Sequence, residues 1–234
     1  MTPNPFLGTF FTAAGFLLGT VVFFVEARRR NMTTEGVGWI ALFGAACGAV
    51  CAKVGEGVFG GGTTLIGGGR TIIGALAGGW LAVVLAKRAL GITRTTGDLW
   101  ALALASGEAV GRIGCFFHTC CWGAQCDLPW AVYSHEGWRH PAQLYAAAWC
   151  ALLFIYLWRE RARVPEGALF PRYLIGWGVG RFLIELVRAH DSAPIAGLST
   201  AQWCCLVAVG YGVWRLNRVG GTATPPLIQQ ERPA

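Results

Sequence analysis

The chain has 234 residues, of which 54% are hydrophobic and 13% charged, with a formal net charge of +7. Charged residues make up about 25% of an ordinary soluble domain, so this composition excludes that class and indicates a polytopic membrane protein. A basic excess would suggest nucleic acid, and nine cysteines a disulfide framework, only in soluble or small secreted chains.

The first apolar run, 5–25, is long enough to cross about 30 Å of hydrocarbon as a helix. No basic residue precedes it and Arg28, Arg29 and Arg30 follow it, so it reads as a span and not as a signal peptide. Basic residues are retained on the cytoplasmic side, which places the N-terminus outside. Further runs at 37–52, 72–86, 99–117, 142–158, 168–187 and 198–214 bring the total to seven. The predicted fold is therefore all-α, a polytopic membrane protein with seven transmembrane helices, N-terminus outside and C-terminus cytoplasmic. On that topology most of the 19 lysines and arginines fall on the cytoplasmic side, so topology accounts for the charge and nucleic acid is not needed as a partner. Residues 1–218 form the expected membrane domain; residues 219–234, polar and containing Thr224, Pro225 and Pro226, form an expected disordered cytoplasmic tail.

Between residues 55 and 79 the sequence is dense in glycine and carries local lookalikes of phosphate-cradling loops. Those motifs act only between a strand and a helix. Here the small residues allow close helix approach or a re-entrant segment. In the sharper alternative, Arg70 and Thr71, at the outer end of the third helix, face a lipid headgroup.

The candidate chemistry begins at the fourth helix. Arg112 lies in an apolar run, where a charge at the bilayer centre costs about 2.5–3.5 kcal/mol. Glu108 precedes it by four residues and shares its helix face. The sixth helix carries Arg181, Glu185 and Arg188 on one stripe. One reading is that each helix satisfies its own charges. The other starts from the count: three arginines against two acids leave a positive surplus, to which Arg70, Arg139 and His140 add from the outer rim. A buried positive surplus calls for an anion, and guanidinium forks match the oxygens of a lipid phosphate.

The end of the fourth helix and the loop after it hold Cys115, His118, Cys120, Cys121 and Cys126. Three readings stay open: a Cys/His metal site, whose spacing departs from the common paired C-x2-C pattern; an outer-face disulfide such as Cys121 to Cys126; or thiols that pack as small hydrophobes. Cys47, Cys51, Cys150, Cys204 and Cys205, in apolar runs, take the last reading. Trp122, Trp130, Tyr133 and Trp138 read as interfacial aromatics.

The GRIG at 111–114 followed by phenylalanine and, nine residues past Gly114, by Gly123, together with DLPWAV at 127–132, RHPAQLY at 139–145 and RFLIELVRAHD at 181–191, resembles the prolipoprotein diacylglyceryl transferase family. The resemblance implies transfer of a diacylglyceryl group from phosphatidylglycerol to the lipobox cysteine thiol of a preprolipoprotein, with glycerol phosphate leaving, in the bacterial cytoplasmic (inner) membrane. Phosphatidylglycerol, the lipobox peptide and membrane lipid are the implied partners; no cofactor and no metal are assigned. By resemblance Arg112, Gly123, His140, Gln143, Tyr145, Arg181, Glu185 and Arg188 carry over as site residues; Arg70 and Arg139 join the expected substrate-binding set from the outer-rim charge reading above.

The chain also departs from the family. Where the usual signature has Asn, Asn and Glu, this chain has Cys115, His118 and Cys120, and the family's His-Gly-Gly segment is replaced by GGGRTIIG at 67–74. His118, His140 and Glu185 then become the candidates for the base that a thiol acceptor of pKa about 8.5 needs near neutrality. The alternatives are a related lipid or headgroup transferase with another acceptor, or a non-catalytic anionic-lipid-binding or transport protein.

Overall fold

The computed structural model describes residues 2–32, 35–59, 72–134, 137–188 and 196–221. Seven helices run in chain order: α1 (Pro5–Arg29), α2 (Glu35–Phe59), α3 (Ile72–Ala89), α4 (Gly97–Phe117), α5 (Ala142–Glu160), α6 (Leu169–Glu185) and α7 (Thr200–Gly221). Each falls on one of the predicted apolar runs. The departure from all-α is a small antiparallel hairpin between α4 and α5, of β1 (Val132–Ser134) and β2 (Gly137–Arg139), with Tyr133 opposite Trp138. Arg70 and Thr71, most of the glycine-rich stretch, His135, His190, Asp191 and the tail from 222 lie outside the described residues.

Among the described residues four helical segments are long and apolar enough to cross a membrane: Pro5–Arg29, Gly36–Val54, Gly97–Phe117 and Ala142–Glu160. The burial pattern agrees with a lipid environment. Phe6, Phe16, Leu17, Leu152 and Val207 point outward, while Glu26, Asp98, Gln143 and Glu185 are buried, the reverse of a water-soluble surface.

The chain divides into two compact units, residues 27–94 and residues 1–26 with 95–234. In the smaller unit α2 and α3 pair through small residues. A Cβ on Gly79 would lie 3.1 Å from the Gly44 carbonyl, and one on Gly78 would collide with Cys51. α3 ends where Gly91 adopts a left-handed φ of 65° and Ile92 N–H donates back to the Lys87 carbonyl at 2.9 Å, a common way of satisfying the last carbonyls.

In the larger unit α1 crosses α4 backbone to backbone. A Cβ on Gly15 would stand 2.6 Å from the Gly107 carbonyl, and one on Gly114 would stand 2.7 Å from the Gly8 carbonyl. Gly114 of the GRIG run is thus a helix-contact residue, as small residues are in membrane bundles. Ala101, Leu102, Ala105, Leu153, Leu157, Leu169, Tyr173 and Trp177 build the core where α4, α5 and α6 meet. α6 begins at Ala168, whose side chain has no oxygen for capping; the buried Asp98 of α4 does that work instead. Its carboxylate accepts the backbone N–H groups of Gly167 (2.7 Å), Leu169 (3.0 Å) and Phe170 (3.2 Å).

Candidate functional site

At the other end of these helices the predicted charges converge. On α4, Arg112 donates through Nε (3.0 Å) and Nη2 (2.6 Å) to one oxygen of Glu108, as the four-residue spacing requires. The second Glu108 oxygen accepts Trp177 Nε1–H from α6 at 2.9 Å. On α6, Glu185 pairs with Arg181, lies 3.7 Å from Arg188 Nε, and accepts the Ser199 hydroxyl at 3.2 Å. The Ser199 hydroxyl in turn accepts the Gln202 N–H at 3.2 Å, so the start of α7 is tied to the α6 carboxylate.

Arg112, Arg181 and Arg188 line one cavity, with Gln143 and Cys121 in its wall. It encloses about 10 Å³, space for one water-sized group. Among the described residues the three guanidiniums face two carboxylates, Glu108 and Glu185, and the Cys121 thiol of the cavity wall. Gln143 is buried; its Nε2 donates to the Cys120 carbonyl, while its Oε1 has no hydrogen-bond partner among the described residues.

The loop between α4 and α5 makes the cavity rim by pairing with itself and with the end of α6. Gly123 N–H donates to the His140 carbonyl (3.0 Å), His140 N–H to the Ala124 carbonyl (3.1 Å), and Ala124 N–H to the Val187 carbonyl (2.8 Å). Gly123 also bridges to Arg188. A Cβ on Gly123 would approach the Val187 carbonyl to 2.6 Å and the His140 Cβ to 2.5 Å, so the close approach of the two backbones requires glycine there. His140 Nδ1 lies 3.3 Å from the Tyr145 hydroxyl, which accepts Trp130 Nε1–H at 2.7 Å. Arg139 reaches the Gly123 carbonyl at 3.5 Å.

Of the residues singled out in the sequence, Arg112, Gln143, Arg181 and Arg188 share the cavity, with Glu185 bonded to its arginines. Gly123, Arg139, His140 and Tyr145 form the adjoining rim. His118 is not brought into this group: its imidazole lies over Gly8 of α1, where an added Cβ would meet the ring at 2.6 Å. Trp122 does not belong with the interfacial aromatics. It is buried, its ring 5.5 Å from that of Phe116, whereas Trp130, Tyr133 and Trp138 are exposed.

All nine cysteines are free thiols, so Cys121 and Cys126 are not joined, and no metal-holding group of His, Cys, Asp or Glu occurs among the described residues. The Cys121 thiol, outside the helices, is lowered to about 5 by the hydrogen bond from Cys120 and by the guanidiniums of Arg188 and Arg112. Cys120 is pushed up, because its proton is held by hydrogen bonds to Cys115 and Cys121. Sequence reasoning missed Cys121 as a cavity residue, and Trp177 and Ser199 as partners of the acids. A tryptophan in an apolar helix and a serine before one carry no distinguishing signal.

The sequence profile of the prolipoprotein diacylglyceryl transferase family matches residues 9–217. Curated relatives named phosphatidylglycerol–prolipoprotein diacylglyceryl transferase include those of Azoarcus sp., 33% identical over 85% of this chain and 86% of the relative, and Aromatoleum aromaticum, 40% identical over 60% of each. That of Synechococcus elongatus is 36% identical over 63% of this chain and 57% of the relative. The match thus spans less than two thirds of the length of the Synechococcus and Aromatoleum proteins.

Proposed function

The chain belongs to the prolipoprotein diacylglyceryl transferase family, and on that premise we propose that it moves a diacylglyceryl group from phosphatidylglycerol to the thiol of a lipobox cysteine. The observation that carries this reading is the cavity on which the three guanidiniums of Arg112, Arg181 and Arg188 converge, steadied among the described residues by Glu108 and Glu185 and faced by the Cys121 thiol. Three guanidinium forks converging on one opening favour an anion with several oxygens, and the headgroup phosphate of the donor supplies one.

In the proposed reaction the acceptor thiolate attacks the glyceryl carbon that bears the phosphate oxygen. A C–S bond forms, that C–O bond breaks, and glycerol phosphate leaves with the electron pair. Charge grows on the departing phosphate, so the arginines stabilise the transition state more than the ground state. Glu108 and Glu185 hold the guanidiniums in place, and Trp177 and Ser199 hold the carboxylates. His140 is the favoured base for the acceptor thiol: Glu185 is occupied by Arg181, Arg188 and Ser199, and His118 lies over α1. Admitting a phosphate into so small a cavity requires Arg181 and Arg188 to swing apart around it, which their incompletely buried side chains allow.

The membrane arrangement belongs to the same proposal: seven spans, N-terminus outside, in the bacterial cytoplasmic membrane, with the arginine cavity opening toward the outer leaflet. Complementation of a strain depleted of its own diacylglyceryl transferase tests the reading. Growth with lipidated lipoprotein is the expected outcome. Failure with full expression would shift the assignment to a transferase with another acceptor, and loss of phosphatidylglycerol binding as well would remove the donor.

A further inference from the structure

Three thiols gather at the C-terminal end of α4, and the proposed transfer uses none of them. Thr119 (φ 52°) and Cys121 (φ 62°) are left-handed, an uncommon conformation for residues with a side chain, and they turn the chain back over the last helical turn. Cys120 N–H therefore donates to the Cys115 carbonyl at 3.2 Å, and its thiol reaches the same oxygen at 3.6 Å. The Cys120 thiol interacts with those of Cys115 and Cys121, which lowers the Cys121 thiol. Cys120 and Cys121 are exposed, and Cys121 also lines the arginine cavity.

We propose that Cys121 is a redox-modification site on the wall of the arginine cavity, oxidised by a peroxide and closed by Cys120 into a reversible disulfide. In the first step the Cys121 thiolate sulfur attacks one peroxide oxygen. The O–O bond breaks, hydroxide or alkoxide leaves, and Cys121 becomes a sulfenic acid; the sulfur loses two electrons and the peroxide gains them. In the second step the Cys120 sulfur attacks the Cys121 sulfur, the S–O bond breaks, and the hydroxyl departs as water with the Cys120 proton. A reduced dithiol restores both cysteines by exchange.

The surroundings favour this pair. Arg188 and Arg112 hold negative charge on Cys121, and the same guanidiniums stabilise the departing hydroxide. Cys120 is next to Cys121 in the chain, and its sulfur attacks as its proton passes to the departing hydroxyl. Adjacent Cα atoms are about 3.8 Å apart across a trans peptide, whereas disulfides usually span about 4.4–6.8 Å. Closing this one must therefore distort the Cys120–Cys121 peptide, whose carbonyl accepts the Gln143 amide. Oxidation would thus pull one cavity wall from Gln143 and a negative sulfur from the arginines, reshaping the anion site. Strained disulfides of this kind are readily reduced, so the change is reversible.

The modification itself is independent of the transfer proposed above; its effect on the cavity rests on that reading. The test is peptide mapping by mass spectrometry of the purified, reduced full chain in detergent, titrated with hydrogen peroxide. The Cys120–Cys121 peptide should lose two hydrogens at peroxide concentrations that leave Cys126 unchanged, and dithiothreitol should restore it. Cys120→Ser should stop at a sulfenic acid on Cys121 that dimedone traps, and Cys121→Ser should give no such adduct. Cys126→Ser should keep the wild-type pattern, which controls for folding. Oxidation of Cys121 no faster than Cys126, or absence of the disulfide, would overturn the proposal. Phosphatidylglycerol binding on the same samples should rise on oxidation, because the thiolate that competes with phosphate for the arginines is removed, and return to its starting value on reduction. A disulfide with binding unchanged would overturn the coupling to the cavity, and no binding by the reduced protein would overturn the transfer reading while the modification stands.

Discussion

Two groups of buried charge sit in the larger unit and end differently. Asp98 is fully buried, and its carboxylate is filled by three backbone donors at the start of α6. Its charge acts within the fold, as a cap borrowed from another helix. Arg112, Arg181 and Arg188 are also largely buried, but two carboxylates face three guanidiniums across a cavity. The difference teaches how to separate structural from functional charge here. A buried ion whose hydrogen bonds all run to the backbone stabilises the fold, whereas guanidiniums gathered beside open space prepare for a ligand.

Four variants break or sharpen that contrast. Arg181→Gln should lower the transfer rate by about 10²–10³-fold, the usual loss for a donor to developing charge, with the melting temperature nearly kept. The readout is transfer from labelled phosphatidylglycerol to a lipobox peptide, and a retained rate would place the arginine with Asp98 as structural. Asp98→Ala should do the opposite. It strands three backbone donors and should cost about 3 kcal/mol of stability, or roughly 6–12 °C in melting temperature for a chain of this size, while the rate per folded molecule holds.

Trp177→Phe keeps the ring but removes the N–H bonded to Glu108. A hydrogen bond worth about 1 kcal/mol predicts a roughly fivefold drop in rate, carried by kcat if Trp177 positions the Glu108–Arg112 pair. An unchanged kcat would mean that Arg112 alone aligns the carboxylate. The smallest effect is expected from His118→Ala: with its ring over Gly8 and off the cavity, the rate should stay within about twofold. A collapse of the rate with folding intact would return His118 to the list of bases and demote His140.

Much of this molecule was readable before any coordinates. The helices fall on the apolar runs, and among the described residues four are long and apolar enough to cross a membrane, because a span must be apolar along its length. The spacings of Glu108 with Arg112 and of Arg181 with Glu185 settle their pairing because residues four apart share a helix face; Arg188, expected on the same helix, lies past the end of α6 at Glu185 and is held by its bridge to Gly123. Trp122 and Trp130 show where that logic stops. Both are tryptophans in one polar loop, yet one is buried against Phe116 and the other exposed, since loop burial depends on what packs above it. The hairpin was not foreseen because a three-residue strand carries no period that rises above its surroundings.

Local rules of spacing and hydropathy thus determined by themselves the helices, their charged faces and the surplus of arginine over acid. Only the tertiary structure decided that the α4 and α6 stripes share one cavity, that Cys121 joins them and His118 does not, and that Asp98 caps a helix some seventy residues away. Those outcomes depend on which helices meet and at what depth. Close contacts at Gly15, Gly107 and Gly114 set how α1 meets α4, and Gly176 and Gly123 pack against Leu153 and the Val187 carbonyl where α6 meets α5 and the loop; such contacts leave no period in the sequence.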